Sequence, residues 1–205
     1  MMQTGAGTLE SSLSRMPVIA ILRGMPSDLD TTFDWLVQAG VEAIEVTTNT
    51  PHWSDVVSVA QQHPFAHVGV GTVLSPAHVQ QAHESGATFT VSPGLDARVV
   101  EACRSAGLEH LPGVATASEV QSALALGLSA VKFFPAGAMG VDYLRALRAP
   151  FDDVRFVATG GVSVDNAEQW LGAGAFAVGI GSALIPDKKD ERDEVAARLR
   201  QLKKV

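Results

Sequence analysis

Residues 29–47 read Leu29-Asp30-Thr31-Thr32-Phe33-Asp34-Trp35-Leu36-Val37-Gln38-Ala39-Gly40-Val41-Glu42-Ala43-Ile44-Glu45-Val46-Thr47. Leu29, Phe33, Leu36 and Val37 recur at the spacing of a helix buried along one side. A helix is therefore expected over residues 29–39. Gly40 suits the left-handed residue that closes a helix. A short strand is expected next, over residues 43–47. The same helix, glycine and strand sequence returns along the chain, with Gly86, Gly107, Gly127 and Gly174 in the closing position. Strands are expected at 18–22, 43–47, 67–70, 88–91, 109–111, 130–134, 155–158 and 176–180. Helices fall between them at 29–39, 53–62, 77–85, 97–106, 118–126, 141–148 and 166–171. A short leading helix is expected at 9–13, and a charged final helix at 188–203. Strands that alternate with helices make a parallel sheet. Eight such units favour a closed barrel over an open sheet. The expected fold is α/β, a single (β/α)₈ (TIM) barrel spanning residues 1–205, with a short N-terminal helix.

Composition is consistent with this. The chain has 205 residues, 46% of them hydrophobic, enough for one core if well patterned. Net charge is −7, which argues against a nucleic-acid partner, since such proteins show a basic stripe. It does not exclude a phosphorylated small molecule, because backbone N–H groups and helix N-termini bind phosphate. The single cysteine, Cys103, forms no intrachain disulfide and reads as a small packed residue on a helix. No apolar run reaches the ~18 to 20 residues of a membrane span, so no membrane partner is expected. Residues 1–10 lack a basic segment followed by an apolar one and do not read as a signal peptide. A cytoplasmic location is the expectation.

The polar and small residues gather where the strands end. Arg23-Gly24 follows the first strand and Thr47-Thr48-Asn49-Thr50-Pro51 the second. Gly71-Thr72 follows the third, Ser92-Pro93-Gly94 the fourth and Pro112-Gly113 the fifth. Thr159-Gly160-Gly161 closes the seventh and Gly181-Ser182 the eighth. Active sites of (β/α)₈ barrels sit at this carboxyl end. The loops after strands seven and eight are also where such barrels hold phosphate. Glycine there lets the backbone approach an anion, and the Ser182 hydroxyl adds a donor.

Two ionisable residues stand inside apolar strands, Glu45 in Ala43-Ile44-Glu45-Val46 and Lys132 in Ala130-Val131-Lys132-Phe133. Side chains alternate across a strand. If Val131, Phe133, Ile44 and Val46 pack on the outer helices, Lys132 and Glu45 point into the barrel. A buried unpaired charge is costly. One reading is a structural ion pair. The other is chemistry: burial lowers a lysine's pKa, and a neutral amine attacks a ketone to form a Schiff base. A carboxylate beside it then shuttles the protons.

Other signals carry less. Leu74 occupies the third glycine position after Gly69-Val70-Gly71, so no dinucleotide fingerprint is present. The six histidines show no metal-binding spacing and read as surface or interface residues; no metal and no cofactor are expected. Trp35, Trp53 and Trp170 fall on expected helices, as core or subunit contacts.

Five segments then carry a resemblance. They are Glu45-Val46-Thr47, Gly69-Val70-Gly71-Thr72-Val73-Leu74, Ser92-Pro93-Gly94, Lys132-Phe133-Phe134-Pro135-Ala136 and Thr159-Gly160-Gly161-Val162. In this order, within a span from about Pro17 to Ile185, they resemble the 2-keto-3-deoxy-6-phosphogluconate aldolases. The resemblance implies a metal-free class I aldolase of the Entner–Doudoroff type, a homotrimer that releases pyruvate and glyceraldehyde 3-phosphate. It implies Lys132 as the Schiff-base lysine and Glu45 as the proton shuttle. Thr72 and Pro93 would contact substrate, Phe134 would pack beside the site, and Gly160, Gly161, Gly181 and Ser182 would hold the phosphate. Members of this family also act on 4-hydroxy-2-oxoglutarate.

One departure concerns Asn49, where the gluconate branch has an arginine for the substrate carboxylate. Ile21-Leu22-Arg23-Gly24 and Asn49-Thr50-Pro51-His52-Trp53 instead resemble the 2-dehydro-3-deoxy-6-phosphogalactonate aldolases, in which the strand-one arginine takes that role. Arg23 is assigned to it here. Thr159 returns to the gluconate pattern, and a hydroxyl there can favour one C4 configuration. The chain is a mosaic of the two branches. Another phosphate-binding barrel enzyme, such as a sugar-phosphate isomerase, and a silent phosphosugar-binding protein remain the alternatives.

Overall fold

The computed structural model describes residues 7–181, 184–185 and 189–203. Ser182 therefore lies outside the described residues. The element order is α1 (Leu9–Arg15), β1 (Val18–Leu22), α2 (Leu29–Gln38), β2 (Ala43–Thr47), α3 (Trp53–Ala60), β3 (His67–Gly71), α4 (Pro76–Glu84), β4 (Phe89–Val91) and α5 (Ala97–Ala106). It continues with β5 (Glu109–Leu111), β6 (Gly113–Val114), α6 (Ala117–Ala125), β7 (Ala130–Phe133), α7 (Ala136–Met139), α8 (Val141–Arg148), β8 (Arg155–Thr159), α9 (Ala167–Gly172), β9 (Ala177–Ile180) and α10 (Lys189–Leu202).

All pairings are parallel, in the order β5-β4-β3-β2-β1-β9-β8-β7-β6. The two ends of that order, β5 and β6, follow each other in the chain with only Pro112 between them. They are two halves of the expected fifth strand. Proline has no N–H for the ladder, so the strand breaks there. Its first half pairs with β4 and its second with β7, while the Pro112 carbonyl accepts from the Lys132 amide at 2.8 Å. The sheet thus curls round on itself with eight strand positions, as the sequence implied.

Several helices start on side-chain caps. Asp28, Ser75 and Asp96 accept from backbone amides at the starts of α2, α4 and α5. Thr116 and Glu119 form a capping box on α6. The expected closing glycines all have positive φ, from 69° at Gly107 to 97° at Gly174.

Strand parity separates two apolar layers. Ile44, Val46, Val131 and Phe133 join Phe33, Leu36 and Trp170 in the layer between sheet and helices. Ile19, Ala43, Phe89, Leu111, Val157 and Ala177 fill the barrel interior toward the amino ends of the strands. Leu9 and Leu13 of α1 pack against this inner layer and cap it. Gly69 makes room for Phe89, whose ring would lie 2.4 Å from a Cβ at that position. Cys103 is buried on α5, as expected of a packed residue.

Candidate active site

Above the inner apolar layer the interior opens into a cavity of about 460 Å³. Its lining includes Ile21, Arg23, Glu45, Lys132, Phe134 and Thr159. The turn Gly160-Gly161-Val162-Ser163, Gly179 and Gly181 complete it. Strand register explains the grouping. Ile21 pairs with Glu45, and Thr159 with Gly179, so these inward residues near the strand ends stand in one layer.

Lys132 and Glu45 are both buried, 6% and 2% exposed. Burial pushes the Lys132 ammonium below its ordinary value of 10.5; Glu45 draws it back up and Arg23 drives it down further. Burial pushes the Glu45 carboxyl above its ordinary 4.5, against the pull of Lys132 and Arg23. Their influence on each other is coulombic, with no hydrogen bond between them. Each is thereby moved toward its neutral form, the condition a nucleophilic amine and a proton-carrying carboxyl require. The Lys132 Nζ sits 4.6 Å from the Phe134 ring centroid. Phe134 in turn lies against Gly160, where a Cβ would come within 2.9 Å of the ring.

Glycines shape the rest. A Cβ on Gly71 would fall 1.7 Å from Glu45 Oε1, so only glycine leaves space for the carboxyl at the end of β3. A Cβ on Gly179 would meet Thr159 Oγ1 at 2.7 Å. The Gly160-Gly161 turn has φ of 87° and 79°. The Gly160 carbonyl accepts from the Gly137 amide at 2.7 Å, and Gly137 packs on Gly161 too closely for a side chain. The Asn166 amide donates to the Gly161 carbonyl and its oxygen accepts from the Ser163 amide.

Three sequence-predicted residues fall outside the lining. Asn49 is exposed in the loop after β2. Thr72 follows β3 in a left-handed conformation, φ 59°. Pro93 is half-buried; its carbonyl backs onto Gly113, where a Cβ would lie 2.1 Å away. Its neighbour Ser92 donates to the Val73 carbonyl at 2.6 Å, so that segment braces the barrel rim. Two histidines also differ from expectation: His67 and His110 are buried. Strand periodicity places them there, on β3 and beside β4.

Residues 9–200 match the family model described as KDPG and KHG aldolase. The chain belongs to the KDPG and KHG aldolase family. It is 35% identical over 175 residues to 2-dehydro-3-deoxy-6-phosphogalactonate aldolase of Escherichia coli K12, covering 83% of this chain and 85% of that one. It is 39% identical over 153 residues to the KHG/KDPG aldolase of the same organism, covering 74% and 72%. Among solved structures it resembles the KDPG aldolase of Legionella pneumophila with pyruvate captured as a covalent carbinolamine. That match has TM-score 0.81, 28% identity and 96% coverage of both chains.

This aldolase, a lyase, thus has its two inward ionisable residues in one cavity with Arg23 and the Gly160-Gly161 turn. Ile21, Val162, Ser163 and Gly179 were not anticipated as lining. Parity along β1 and β9 carried the signal for Ile21 and Gly179, each two residues from an inward neighbour. Gly71 and Gly137 gave no local signal, because their roles arise from contacts with distant segments. A second cavity, about 310 Å³, opens at the opposite end of this aldolase's barrel, lined by Leu9, Leu13, His110 and Phe176 among others. Charged groups at its edge are already engaged: Arg155 with Glu10, Arg104 with Glu101, and Glu109 with the Leu9 amide. Among the described residues, no group of three or more histidine, cysteine, aspartate or glutamate side chains is placed to hold a metal ion, and no helix is long and apolar enough to cross a membrane.

Proposed function

We propose that this chain is a Schiff-base aldolase that cleaves 2-keto-3-deoxy-6-phosphogluconate to pyruvate and glyceraldehyde 3-phosphate, and that it also accepts 4-hydroxy-2-oxoglutarate. The observation that carries the proposal is the pair Lys132 and Glu45, buried in one cavity and each moved toward neutrality by burial. The neutral Lys132 amine attacks the C2 ketone; the protonated Glu45 gives its proton to the departing water, which leaves a protonated imine and an ionised Glu45. Glu45 takes the proton from the C4 hydroxyl as the C3–C4 bond breaks, and the bond's electron pair flows into the imine to give an enamine. The aldehyde departs. Glu45 returns its proton to C3, and water hydrolyses the protonated imine to release pyruvate and the free amine, the remaining proton going back to Glu45. The relative that holds pyruvate as a carbinolamine supports the covalent route.

Arg23 is the proposed partner of the substrate carboxylate. It lines the cavity, whereas Asn49 is exposed outside it. The backbone of Gly160, Gly161 and Gly181, with Ser182, is proposed to take the phosphate. Phe134 screens the amine from water. Thr72 and Pro93 are proposed to act from behind the lining, shaping the pyruvate end. The placement of Arg23 also favours a second reading, cleavage of the phosphogalactonate epimer. Thr159, which presents a hydroxyl in the cavity, favours the first. We infer the homotrimer that the resemblance implies and the cytoplasmic location expected from the sequence; light scattering checks the former.

The test is pyruvate plus borohydride followed by peptide mass analysis. The expected result is a stable pyruvyl mass on Lys132. An adduct on another lysine, or none, overturns the mechanism. Pyruvate release from the two C4 epimers then decides between the readings. The gluconate epimer is expected to be cleaved faster; a faster galactonate epimer would shift the assignment to the second reading.

A further inference from the structure

The loop that follows β2 makes hydrogen bonds in two directions. On one side, the Thr48 amide donates to the Gly71 carbonyl at 2.9 Å, and the Thr48 hydroxyl donates to the Thr72 carbonyl at 2.9 Å. On the other side, the buried Thr50 hydroxyl donates to the Leu22 carbonyl and accepts from the Gly24 amide, each at 3.3 Å. Leu22 and Gly24 are the two neighbours of Arg23.

What these bonds hold is specific. Gly71 is the residue whose missing Cβ gives the Glu45 carboxyl its space. Thr72 beside it has φ 59°, a conformation that a branched side chain rarely adopts and that persists only when its surroundings impose it. The Thr48 hydroxyl is a bond made directly to that strained residue. If Thr72 relaxes, the backbone of Gly71 turns with it and the wall against Glu45 moves. Arg23, for its part, leaves a strand end and has no hydrogen-bonded carboxylate partner among the described residues. Its direction into the cavity rests on the backbone at 22–24.

We propose that the Thr47–Thr50 loop is a positioning strap with two separable arms, Thr48 setting the place of Glu45 through Gly71-Thr72, and Thr50 setting the place of Arg23 through Leu22 and Gly24. This rests on the aldolase reading above. Neither threonine touches the reacting atoms; both are positioning residues. Because Glu45 moves protons and Arg23 binds substrate, the arms affect different kinetic constants.

The experiment compares Thr48→Val and Thr50→Val with their serine counterparts in full-length protein, measuring kcat, KM and borohydride trapping of pyruvate. Thr48→Val is expected to lower kcat by about tenfold to a hundredfold with a much smaller change in KM, since small misplacements of a catalytic group cost this much. Trapping of pyruvate on Lys132 continues in that variant. Thr50→Val is expected to raise KM by about tenfold with kcat nearly unchanged, the pattern of lost substrate binding. Serine keeps the hydroxyl and restores each constant. If a valine variant does not fold, the alanine variant at the same position takes its place. Equal effects on kcat and KM in both variants, no effect in either, or failure of serine to restore, would overturn the strap. A wild-type chain that traps no pyruvate on Lys132 would overturn the aldolase reading and the strap with it, which separates the two failures.

Discussion

The two ends of the barrel interior are built from the same strands and differ in what they bury. Toward the amino ends, Ile19, Ala43, Phe89, Leu111, Val157 and Ala177 interdigitate beneath Leu9 and Leu13. Two residues further along four of these strands, the inward positions are Ile21, Glu45, Thr159 and Gly179, which with Lys132 of β7 surround a cavity of about 460 Å³. The lower layer gains from apolar burial and close packing. The upper layer forgoes both, and burial disfavours its two charges. The comparison teaches how the barrel divides its interior: one step of two residues along a strand separates close apolar packing from a cavity that holds ionisable groups.

The double variant Lys132→Met with Glu45→Leu should produce the largest divergence between activity and stability. Turnover should be abolished, measured as pyruvate release. The fold should become more stable by about 1–4 kcal/mol in denaturant unfolding, as when other buried charged pairs are replaced. Wild-type stability should also rise with pH over the range between the lowered folded value of Lys132 and its ordinary 10.5, where the unfolded chain still binds the proton and the folded one does not. The variant should lack that rise. A double variant less stable than wild type would show that the upper layer also supports the fold.

Phe89→Ala is the matching change below. Phe89 is wholly buried and fills the space left by Gly69. Its loss should cost about 3–5 kcal/mol in denaturant unfolding. Cleavage measured well below the melting transition should remain, because no lining residue of the upper cavity has been removed. A loss of activity without a loss of stability would contradict the division between the layers.

Most of this architecture was legible in the sequence because it rests on local rules. Helix spacing and closing glycines located the elements, and strand parity placed Glu45 and Lys132 inward. The structure differs where a contact between distant segments decides. Pro112, which has no N–H for the ladder, splits the fifth strand into halves that pair with different neighbours across the barrel closure. The short helix α7 was missed, since Ala136-Gly137-Ala138-Met139 has too few residues to show a period, yet Gly137 braces the Gly160-Gly161 turn. Gly71 reads as an ordinary strand-end glycine until Glu45 is seen against it. Arg23 could be assigned to the cavity only by resemblance; its entry depends on how the chain turns after β1. His110 reads as a surface or interface residue because the histidines lack a metal-binding spacing, although strand alternation sets it beside Thr90 on the buried side that faces the helices.

His110 gives the smallest of these effects and the sharpest contrast with Lys132. Its Nδ1 lies 2.8 Å from Thr90 Oγ1, which is 3.1 Å from Cys103 Sγ, and its Nε2 has no hydrogen-bond partner among the described residues. Burial pushes it from its ordinary 6.5 down to about 4. Above pH 6.5 both folded and unfolded chains hold it neutral, and the fold has its full stability. Between 6.5 and about 4 the unfolded chain takes a proton that the folded chain refuses, so stability falls. Below about 4 both are protonated and the decline from this group ends. At 1.36 kcal/mol per unit, the loss amounts to about 3 kcal/mol. His67, also lowered by burial, adds in the same direction. His110→Gln keeps a hydrogen-bonding partner for Thr90 and removes the titration. Chemical denaturation at pH 7 and pH 4.5 should show a smaller acid loss in the variant, with pyruvate release at pH 7 unchanged. An equal acid loss would mean that His110 is charged in the folded chain. Retained acid sensitivity with lost activity would mean that the amino end of the barrel reaches the chemistry after all. The expected result instead places a second neutral ionisable group in the barrel wall that lowers stability in acid and takes no part in turnover, because the reacting cavity lies at the other end.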